Sequence, residues 1–495
     1  MSVIEVLLPS LLLTAGLLAV LFADVFAKGR RPLALPWYSG TALVATAGVC
    51  VTWLAKGMGS DALRLGALRL DNFAIVLTLF CCAAGLVSIL ATLVGDGDRR
   101  PGGEFHALVL GAVLGMSILA SAVDLVTLYL AFELVSITGY VLVGMRRADR
   151  LANEASLKYV LFGAVSSGLM LYGLSFLYGI AGGTSLESLR VAVAQGAASE
   201  PIFIVASVLV FAGFAFKVSA VPFQFWAPDV YQGAPTAVAG FLAVASKAAG
   251  FAGLVRVLSA VGTTASTAAS ASTTFLPTSG PWPVILSVSA VLTMTLGNLG
   301  ACRQRDLKRL LAYSSIAHAG YMLMALSVWT GPAIEAVVFY LVTYLFMNLA
   351  AFLLAGIVIR ASGTSDLAGL KGLGFRHPWL AAAFTIVMLS LTGIPPMLGF
   401  IGKLVLFKAV LEQGFVWLAV VGLINGAISL YYYAKPLMRM YLEDSDPAGA
   451  PVVAVGRGAA VLATALVLPV LGLFLYWSPL VDWVRSAVPA LGLRP

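Results

Sequence analysis

Apolar runs of about 20 residues follow one another through almost the whole chain, and no other feature restricts its fold so strongly. A helix needs about 20 apolar residues to cross the hydrocarbon core of a bilayer. Of the 495 residues, 60% are hydrophobic and 11% are charged, whereas a soluble domain carries roughly 25% charged residues. The sequence therefore predicts an all-α polytopic membrane protein.

About fourteen such runs can be distinguished. We predict membrane-spanning helices near residues 3–27, 36–56, 71–95, 105–123, 124–145, 155–181, 201–222, 233–262, 282–302, 306–330, 332–360, 378–413, 414–441 and 458–484. The first run is too long for the apolar region of a signal peptide and has no basic residues before it, so we assign it as the first span.

Two of the predicted spans contain proline where a helix cannot continue. Pro222 breaks the seventh span, and Pro395-Pro396 interrupts the twelfth. Proline removes a backbone donor and clashes with the preceding turn, so a broken helix persists in a membrane only where protein or water satisfies the freed groups. The two breaks are five spans apart. Because this number is odd, the helices around the second break run across the membrane in the opposite direction to those around the first. Because inverted repeats with broken helices are typical of secondary transporters, we predict two inverted five-helix repeats, spans 4–8 and 9–13.

The predicted repeats divide the chain into four parts. Helices 1–3 occupy residues 1–104, the first repeat 105–262, the second repeat 282–441, and a C-terminal helix with its tail 458–495. The polar tracts between the spans are short, so we expect flexible loops there, notably at 263–279, and no soluble domain.

The distribution of positive charge predicts how the spans are oriented. Lysine and arginine collect in loops that follow odd-numbered spans, such as Arg146–Arg150 and Arg303–Arg309. Loops after even-numbered spans carry few, chiefly Lys56 and Arg64–Arg69. Positively charged loops stay in the cytoplasm. We therefore expect a multi-pass membrane protein with both termini outside.

Ionisable residues inside the predicted spans are the main candidates for function. They are Glu133 in span five, Lys217 in span seven, Lys247 in span eight and Lys403 in span twelve. A charge at the bilayer centre costs about 2.5–3.5 kcal/mol on insertion scales, and such residues usually mark ion or proton pathways. Lys247 is about a dozen residues from either end of its span, roughly 18 Å at the helical rise, which is too far for snorkelling. Lys408, nearer the surface, is expected to snorkel.

Alternative interpretations stay open for several of these residues. Lys217 could be a snorkelling lysine beside the kink. A Glu133–Lys217 pair could be a proton switch, because nearby charges change the proton affinity of both groups, or a static ion pair between helices. Lys158, a further candidate for proton relay, lies four residues after Glu154, so a surface ion pair between the two explains its position equally well. His318 could relay protons or complete a hydrogen-bond network between helices.

Other kinds of chemistry find no support in the sequence. The four cysteines form no CxxC motif, which disfavours an iron–sulfur, zinc or disulfide role. The three histidines are scattered, and there is no Walker or Rossmann glycine pattern. No basic block with interleaved aromatic residues suggests nucleic acid. We expect this chain to bind no cofactor, metal or nucleic acid.

Five segments carry a recognisable pattern. They are FELVSITGYVLVGMRR (132–147), NEASLKYVLFGAVSSGLMLYGLSFLYG (153–179), FKVSAVPFQFWAPDVYQGAPT (216–236), LKRLLAYSSIAHAGYML (307–323) and LTGIPPMLGFIGK (391–403). Together they resemble the subunit N family of the proton-pumping NADH-quinone oxidoreductase, also called respiratory complex I or type-1 NADH dehydrogenase. The NEASLKY segment, the lysine after the GIPP break and the lack of a long C-terminal extension favour subunit N over its antiporter-like sisters L and M.

The resemblance implies a translocase subunit without a redox site of its own. Its proton channel would consist of four residues: Glu133, Lys217, Lys247 and Lys403. NADH, FMN, iron–sulfur clusters and quinone would be bound by partner subunits, and electron transfer there would drive proton transport here. The implied partners are the other membrane subunits, both antiporter-like and of the quinone module, and the lipid bilayer.

Two further hypotheses remain beside this one. A subunit of a multisubunit cation/proton antiporter shares these motifs and needs no quinone, and a passive membrane scaffold would need no proton transport. The chain also departs from the family at Gln224, where the PFxFWAPDVY motif often carries histidine. A proton relay through that position is therefore in doubt.

Overall fold

The computed structural model describes residues 3–27, 34–58, 63–95, 101–261, 280–443 and 455–485. Within these ranges nearly all regular structure is helical, and the only sheet is a two-stranded hairpin. Twelve of the described helices are long and apolar enough to cross a membrane. The predicted all-α polytopic fold is confirmed. The predicted loop at 263–279 lies outside the described residues.

The N-terminal part contains three long helices and the hairpin: α1 (Val3–Phe26), α2 (Leu35–Ala55), β1 (Leu63–Leu65), β2 (Leu68–Leu70) and α3 (Asn72–Gly95). The strands pair antiparallel with Arg64 opposite Arg69, and Gly66 at the turn has φ 55°. This left-handed conformation favours glycine because a side chain would be strained there. The sequence analysis did not predict this hairpin, since three-residue strands are too short to show a period.

The next part contains eight helices: α4 (Gly103–Ser121), α5 (Leu125–Val143), α6 (Arg150–Ala181), α7 (Leu186–Ala194), α8 (Pro201–Val218), α9 (Trp226–Gly233), α10 (Thr236–Phe241) and α11 (Lys247–Val261). A π-helical turn, Leu242–Ser246, joins α10 and α11 into one span. The unpredicted α7 is short and amphipathic, with Leu189 buried against the chain. On its polar side the hydrogen bond from Arg190 lowers the pKa of the Glu187 carboxyl.

The remaining helices are α12 (Trp282–Cys302), α13 (Leu307–Leu326), α14 (Gly331–Ser362), α15 (Leu373–Arg376), α16 (Pro378–Thr392), α17 (Leu398–Glu412), α18 (Val416–Tyr441), α19 (Arg457–Leu475) and α20 (Ser478–Arg485). The predicted fourteenth span is too long, because α19 ends at Leu475. Pro479 lies in the first turn of α20, where its missing N–H costs nothing, whereas a continued α19 would lose a backbone hydrogen bond at this residue.

Both predicted helix breaks are present. After α8 the backbone turns at Ser219 (φ 60°), and α9 is a separate short helix. After α16 it turns at Gly393 (φ 88°), and α17 begins beyond the Pro395-Pro396 pair. Helices commonly end on a residue in this left-handed conformation. The inverted relation between the two repeats and the four-part division of the chain stay predictions.

The interior of the molecule is formed by α10, α11, α13 and α14. Every residue in an 18-residue stretch of the α10–α11 span is buried inside the protein. In a stretch of the same length in α14, 78% of the residues are buried. Helix α13 packs against α9, α12, α14 and α17, so it lies between the two broken spans. Polar side chains on α11 and α13 are therefore far from solvent and must find partners within the protein.

Candidate functional site

Three lysines of the broken spans and of α11 are buried in the protein. Lys217 and Lys247 are each 1% exposed, and Lys403 is 7% exposed. Each ammonium group donates to a carbonyl or hydroxyl oxygen. Among the described residues, none of the three forms an ion pair with a carboxylate. The site therefore consists of buried amines whose hydrogen bonds do not require a permanent positive charge.

Lys217 lies in the last turn of α8 and contacts α5. Its Nζ donates to Ser136 Oγ at 2.6 Å and to the carbonyl of Phe132 at 3.4 Å, and it lies 4.4 Å from the Phe132 ring centroid. The Cγ of Lys217 is 2.8 Å from the position that a Cβ would take at Gly250. Glycine at this position of α11 thus lets the lysine stem approach the helix one turn beyond Lys247.

Glu133 and Lys217 form no direct ion pair in the described part of the chain, although the Glu133 carboxylate acts electrostatically on the Lys217 ammonium. Glu133 is half-buried and accepts a hydrogen bond from Ser167 of α6. Phe132 and Ser136 are four residues apart and share one face of α5, whereas each residue step turns a helix by about 100°. Glu133 therefore points to α6 while its neighbours meet Lys217.

Lys247 is the first residue after the π-helical turn. Its Nζ donates to the carbonyl of Ser315 on α13 at 2.8 Å. Single π-helical turns are frequent at functional sites. Beside this bond lie the buried hydroxyls of Ser246 and Ser315. The surroundings of Lys247 are polar although they are remote from solvent.

Lys403 on α17 points back to the end of α16. Its Nζ donates to the carbonyls of Thr392 at 2.6 Å and Leu391 at 3.1 Å. The last carbonyls of a helix lack intrahelical donors, and the negative end of the helix dipole favours a cation there. A Cβ at Gly393 would lie 2.8 Å from Lys403 Cδ. The break in the span thus provides the partners of Lys403.

His318 on α13 connects three helices. Its Nδ1 lies 2.6 Å from the Tyr340 hydroxyl on α14, and its Nε2 lies 3.0 Å from the Tyr433 hydroxyl on α18. The side chain is 1% exposed. The predicted hydrogen-bond network between helices is present, and it is compatible with proton relay as well.

Lys158 is not brought together with the buried lysines. It is 37% exposed, and its Nζ lies 2.7 Å from Glu154 Oε1, the surface ion pair that the sequence suggested. It also donates to Asp229 of α9 at 2.6 Å, and Asp229 accepts a second hydrogen bond from Arg309. Asp229 was missed, although an acidic residue directly after the first break was a visible signal. Lys408, at 69% exposed beside Glu412, also lies at the surface.

A buried ion pair that the sequence analysis missed joins α11 to the start of α3. Both Arg256 and Asp71 are at most 1% exposed. The guanidinium donates to the two Asp71 oxygens at 2.7 Å each and to the carbonyl of Ala120 at 2.7 Å. The two residues are 185 positions apart. A possible signal was an arginine inside an apolar run and an aspartate just before one.

Gln224 lies in the segment between α8 and α9. It is 5% exposed, and within the described part of the chain its Oε1 accepts no hydrogen bond. It lines a groove of about 540 Å³ that also borders α12 and α13, with Arg303 and Gln304 among the lining residues. Among the described residues, no cluster of three or more histidine, cysteine or acidic side chains could hold a metal ion.

The sequence and the fold are similar to those of known proteins. The family described as NADH:quinone oxidoreductase/Mrp antiporter, TM, matches residues 122–429. The chain belongs to this family. Subunit N of NADH-quinone oxidoreductase from Anaeromyxobacter sp. (strain Fw109-5) is 41% identical to it over 498 residues, covering 97% of this chain and 95% of that relative. The resemblance seen in five segments is confirmed along almost the whole chain.

Solved structures agree with this membership of the NADH:quinone oxidoreductase/Mrp antiporter family. A chain of respiratory complex I from Thermus thermophilus, solved with bound aureothin, has 31% identity and a TM-score of 0.79, with 97% of this chain and 100% of that chain covered. A chain of the Mrp complex from Dietzia sp. DQ12-45-1b has 22% identity and a TM-score of 0.82, covering 99% and 98%. The second similarity shows the shared fold alone.

Proposed function

We propose that this chain is subunit N of a proton-translocating NADH-quinone oxidoreductase in a bacterial cell membrane. Electrons pass from NADH to quinone on partner subunits that bind FMN, iron–sulfur clusters and quinone. This chain transports protons across the bilayer in response, and the other antiporter-like and quinone-module subunits are its neighbours. Family membership and the 41% identity to a subunit N support this assignment.

The observation that carries the proposal is the set of three buried ammonium groups, those of Lys217, Lys247 and Lys403, which have no carboxylate partner among the described residues. Burying an unpaired charge costs about 2.5–3.5 kcal/mol at a helix centre on insertion scales, so a passive scaffold gains nothing from keeping three of them. Because carbonyl and hydroxyl oxygens are their partners, release of a proton leaves no buried carboxylate uncompensated. Lysine can lose its proton, which arginine cannot do in a protein.

The proposed carriers follow one another across the molecule. Glu133 on α5 faces α6, next to Phe132, whose carbonyl accepts from Lys217 on α8, and Lys217 packs against α11 at Gly250, one turn from Lys247. Lys247 contacts α13, and Lys403 lies 5.1 Å from the ring centroid of Tyr321 on the same helix. We assign proton transfer to Glu133, Lys217, Lys247 and Lys403, with His318 between the last two.

Isolation of the complex through a tag on this chain tests the assignment. We expect the preparation to oxidise NADH with quinone and, after reconstitution, to acidify vesicles. Lys403→Met keeps the length of the side chain but removes its charge, so the complex should assemble and lose most proton transport. Isolation with antiporter subunits that do not oxidise NADH would favour the cation/proton antiporter instead. Unchanged transport by assembled Lys403→Met would favour a scaffold.

We also infer that both termini lie outside the cell. The α5–α6 and α12–α13 loops carry the arginine clusters Arg146–Arg150 and Arg303–Arg309, and positive loops stay cytoplasmic. The basic residues at 28–31 and 99–100 lie outside the described residues. A membrane-impermeant maleimide added outside should label Ser270→Cys but not Arg305→Cys, with the unmodified protein as background. Labelling of the second variant alone would reverse the orientation.

A further inference from the structure

Four buried side chains form a continuous hydrogen-bonded chain through α13, α14 and α18. Ser314 is hydrogen-bonded to the Tyr433 hydroxyl, which lies 3.0 Å from His318 Nε2, and His318 Nδ1 lies 2.6 Å from the Tyr340 hydroxyl. All four residues are at most 1% exposed. Such a chain is costly to bury unless each member is bonded, and here every link is made within the protein.

The two ends of this chain lie beside two buried lysines. At one end, Lys247 donates to the carbonyl of Ser315, the residue after Ser314. At the other end, the Tyr340 ring packs on α17, since a Cβ at Gly402 would lie 2.7 Å from Tyr340 Cδ2. Gly402 directly precedes Lys403. The four side chains therefore connect the surroundings of Lys247 with those of Lys403.

Each member of the chain can both donate and accept a hydrogen bond. A hydroxyl has one donor and two acceptor sites, and neutral imidazole has one of each on opposite nitrogens. Because a tyrosine meets each ring nitrogen of His318, one phenol can donate to the ring while the other accepts from it. We propose that Tyr433 and Tyr340 carry protons through His318 between Lys247 and Lys403. This inference rests on the proposed function.

The proton balance of this step is complete. The Lys247 ammonium gives a proton to Ser314, which passes its own to the Tyr433 oxygen. Tyr433 protonates His318 Nε2, and Nδ1 releases its proton to the Tyr340 oxygen. Tyr340 then gives its original proton to the amine of Lys403. Each intermediate group loses one proton and gains one, so the charge moves from Lys247 to Lys403 and only O–H and N–H bonds change. The two lysine side chains must swing towards Ser314 and Tyr340 for the outer transfers.

Tyr433→Phe tests the proposal, because it removes the hydroxyl between Ser314 and His318 and keeps the ring. Tyr432→Phe is a matched control that removes a neighbouring hydroxyl but leaves the chain to His318 complete: Tyr432 is also 1% exposed, and its hydroxyl lies beside that of Tyr433 and donates to Asn298 Oδ1 at 3.0 Å. The intact complex is reconstituted, and proton transport is measured per NADH oxidised. Positioned proton donors contribute roughly 10²–10⁴-fold to proton-transfer steps, so Tyr433→Phe should transport about tenfold less than Tyr432→Phe, or lower still.

Tyr340→Phe interrupts the chain at the other ring nitrogen and should give the same loss, so it serves if Tyr433→Phe does not assemble. Equal transport by Tyr433→Phe and Tyr432→Phe overturns the proposal, whether both are normal or both impaired. Lys247→Ala, measured in parallel, separates this failure from that of the proposed function. If Lys247→Ala loses transport while Tyr433→Phe keeps it, only the tyrosine pathway is wrong. If Lys247→Ala transports normally, the proposed function itself fails.

Discussion

Two buried cations on α11 have opposite surroundings. Arg256 and Lys247 are nine residues apart, and each is 1% exposed. Arg256 makes two 2.7 Å hydrogen bonds to Asp71 and a third to a backbone carbonyl. Lys247 donates to one backbone carbonyl, that of Ser315, and among the described residues it has no carboxylate partner.

The difference follows from what each cation can do with its proton. A guanidinium stays charged at any pH a protein meets, so when buried it needs a permanent counter-ion with matching geometry. An ammonium can become a neutral amine, so it can be buried beside oxygens that accept a hydrogen bond in either state. We interpret the Arg256 end of the helix as its anchor to α3 and α4, and the Lys247 end as the part that changes charge.

The largest loss of stability is expected when Asp71, the anion that pairs with Arg256, is removed. Asp71→Ala leaves the Arg256 guanidinium buried without its counter-ion, and breaking a buried pair in this way costs about 3–5 kcal/mol. The yield and thermal stability of the detergent-solubilised complex should both fall strongly. The double variant Asp71→Ala/Arg256→Met should recover part of this stability, because no buried charge remains. If Asp71→Ala alone is as stable as the parent, the Asp71–Arg256 pair does not anchor α11.

Arg256→Lys should have a smaller effect on stability. The charge remains, but the forked geometry is lost, and hydrogen bonds to charged groups contribute about 1.5–3 kcal/mol. We expect a lower unfolding temperature and normal proton transport per NADH in the fraction that assembles. Transport that falls with unchanged stability would place Arg256 in the proton pathway and abolish the distinction between the two ends of α11.

Lys247→Arg is the converse exchange. Arginine keeps the positive charge but cannot release a proton, so we expect assembly with about tenfold lower quinone-linked proton transport. Lys247→Ala should fail whether the residue relays protons or only anchors a neighbour, so it distinguishes less between these roles. Assembly is scored by the yield of intact complex, because the bulk of arginine could disturb packing. Normal pumping by the assembled arginine variant would remove Lys247 from the relay.

The smallest effect is expected at Lys408, on the same helix as Lys403. Lys408 is 69% exposed, and its ion pair with Glu412 spans 3.7 Å, so it is worth at most about 0.5 kcal/mol. Lys408→Ala should leave both stability and transport within error. It serves as the surface control for Lys403→Met, and a clear loss of transport would mean that exposure is a poor guide to function here.

The sequence by itself determined the spans, the two breaks and three of the four described buried lysines, all but Lys308. These features are local: the bilayer sets the length of an apolar run, proline removes a backbone donor and so favours a break in a helix, and Lys247 is conspicuous within such a run. The amphipathic α7 and the hairpin before α3 were missed, because both are too short for a period or a length criterion to detect.

Only the tertiary structure decided which side chains meet. Each residue step rotates a helix by about 100°, so contacts depend on how every helix is turned about its axis, and the sequence does not state this. Glu133 therefore faces Ser167 and leaves Lys217 to Ser136. For the same reason Asp71 could not be matched with Arg256, which is distant in sequence and joins it only when α3 and α11 pack together.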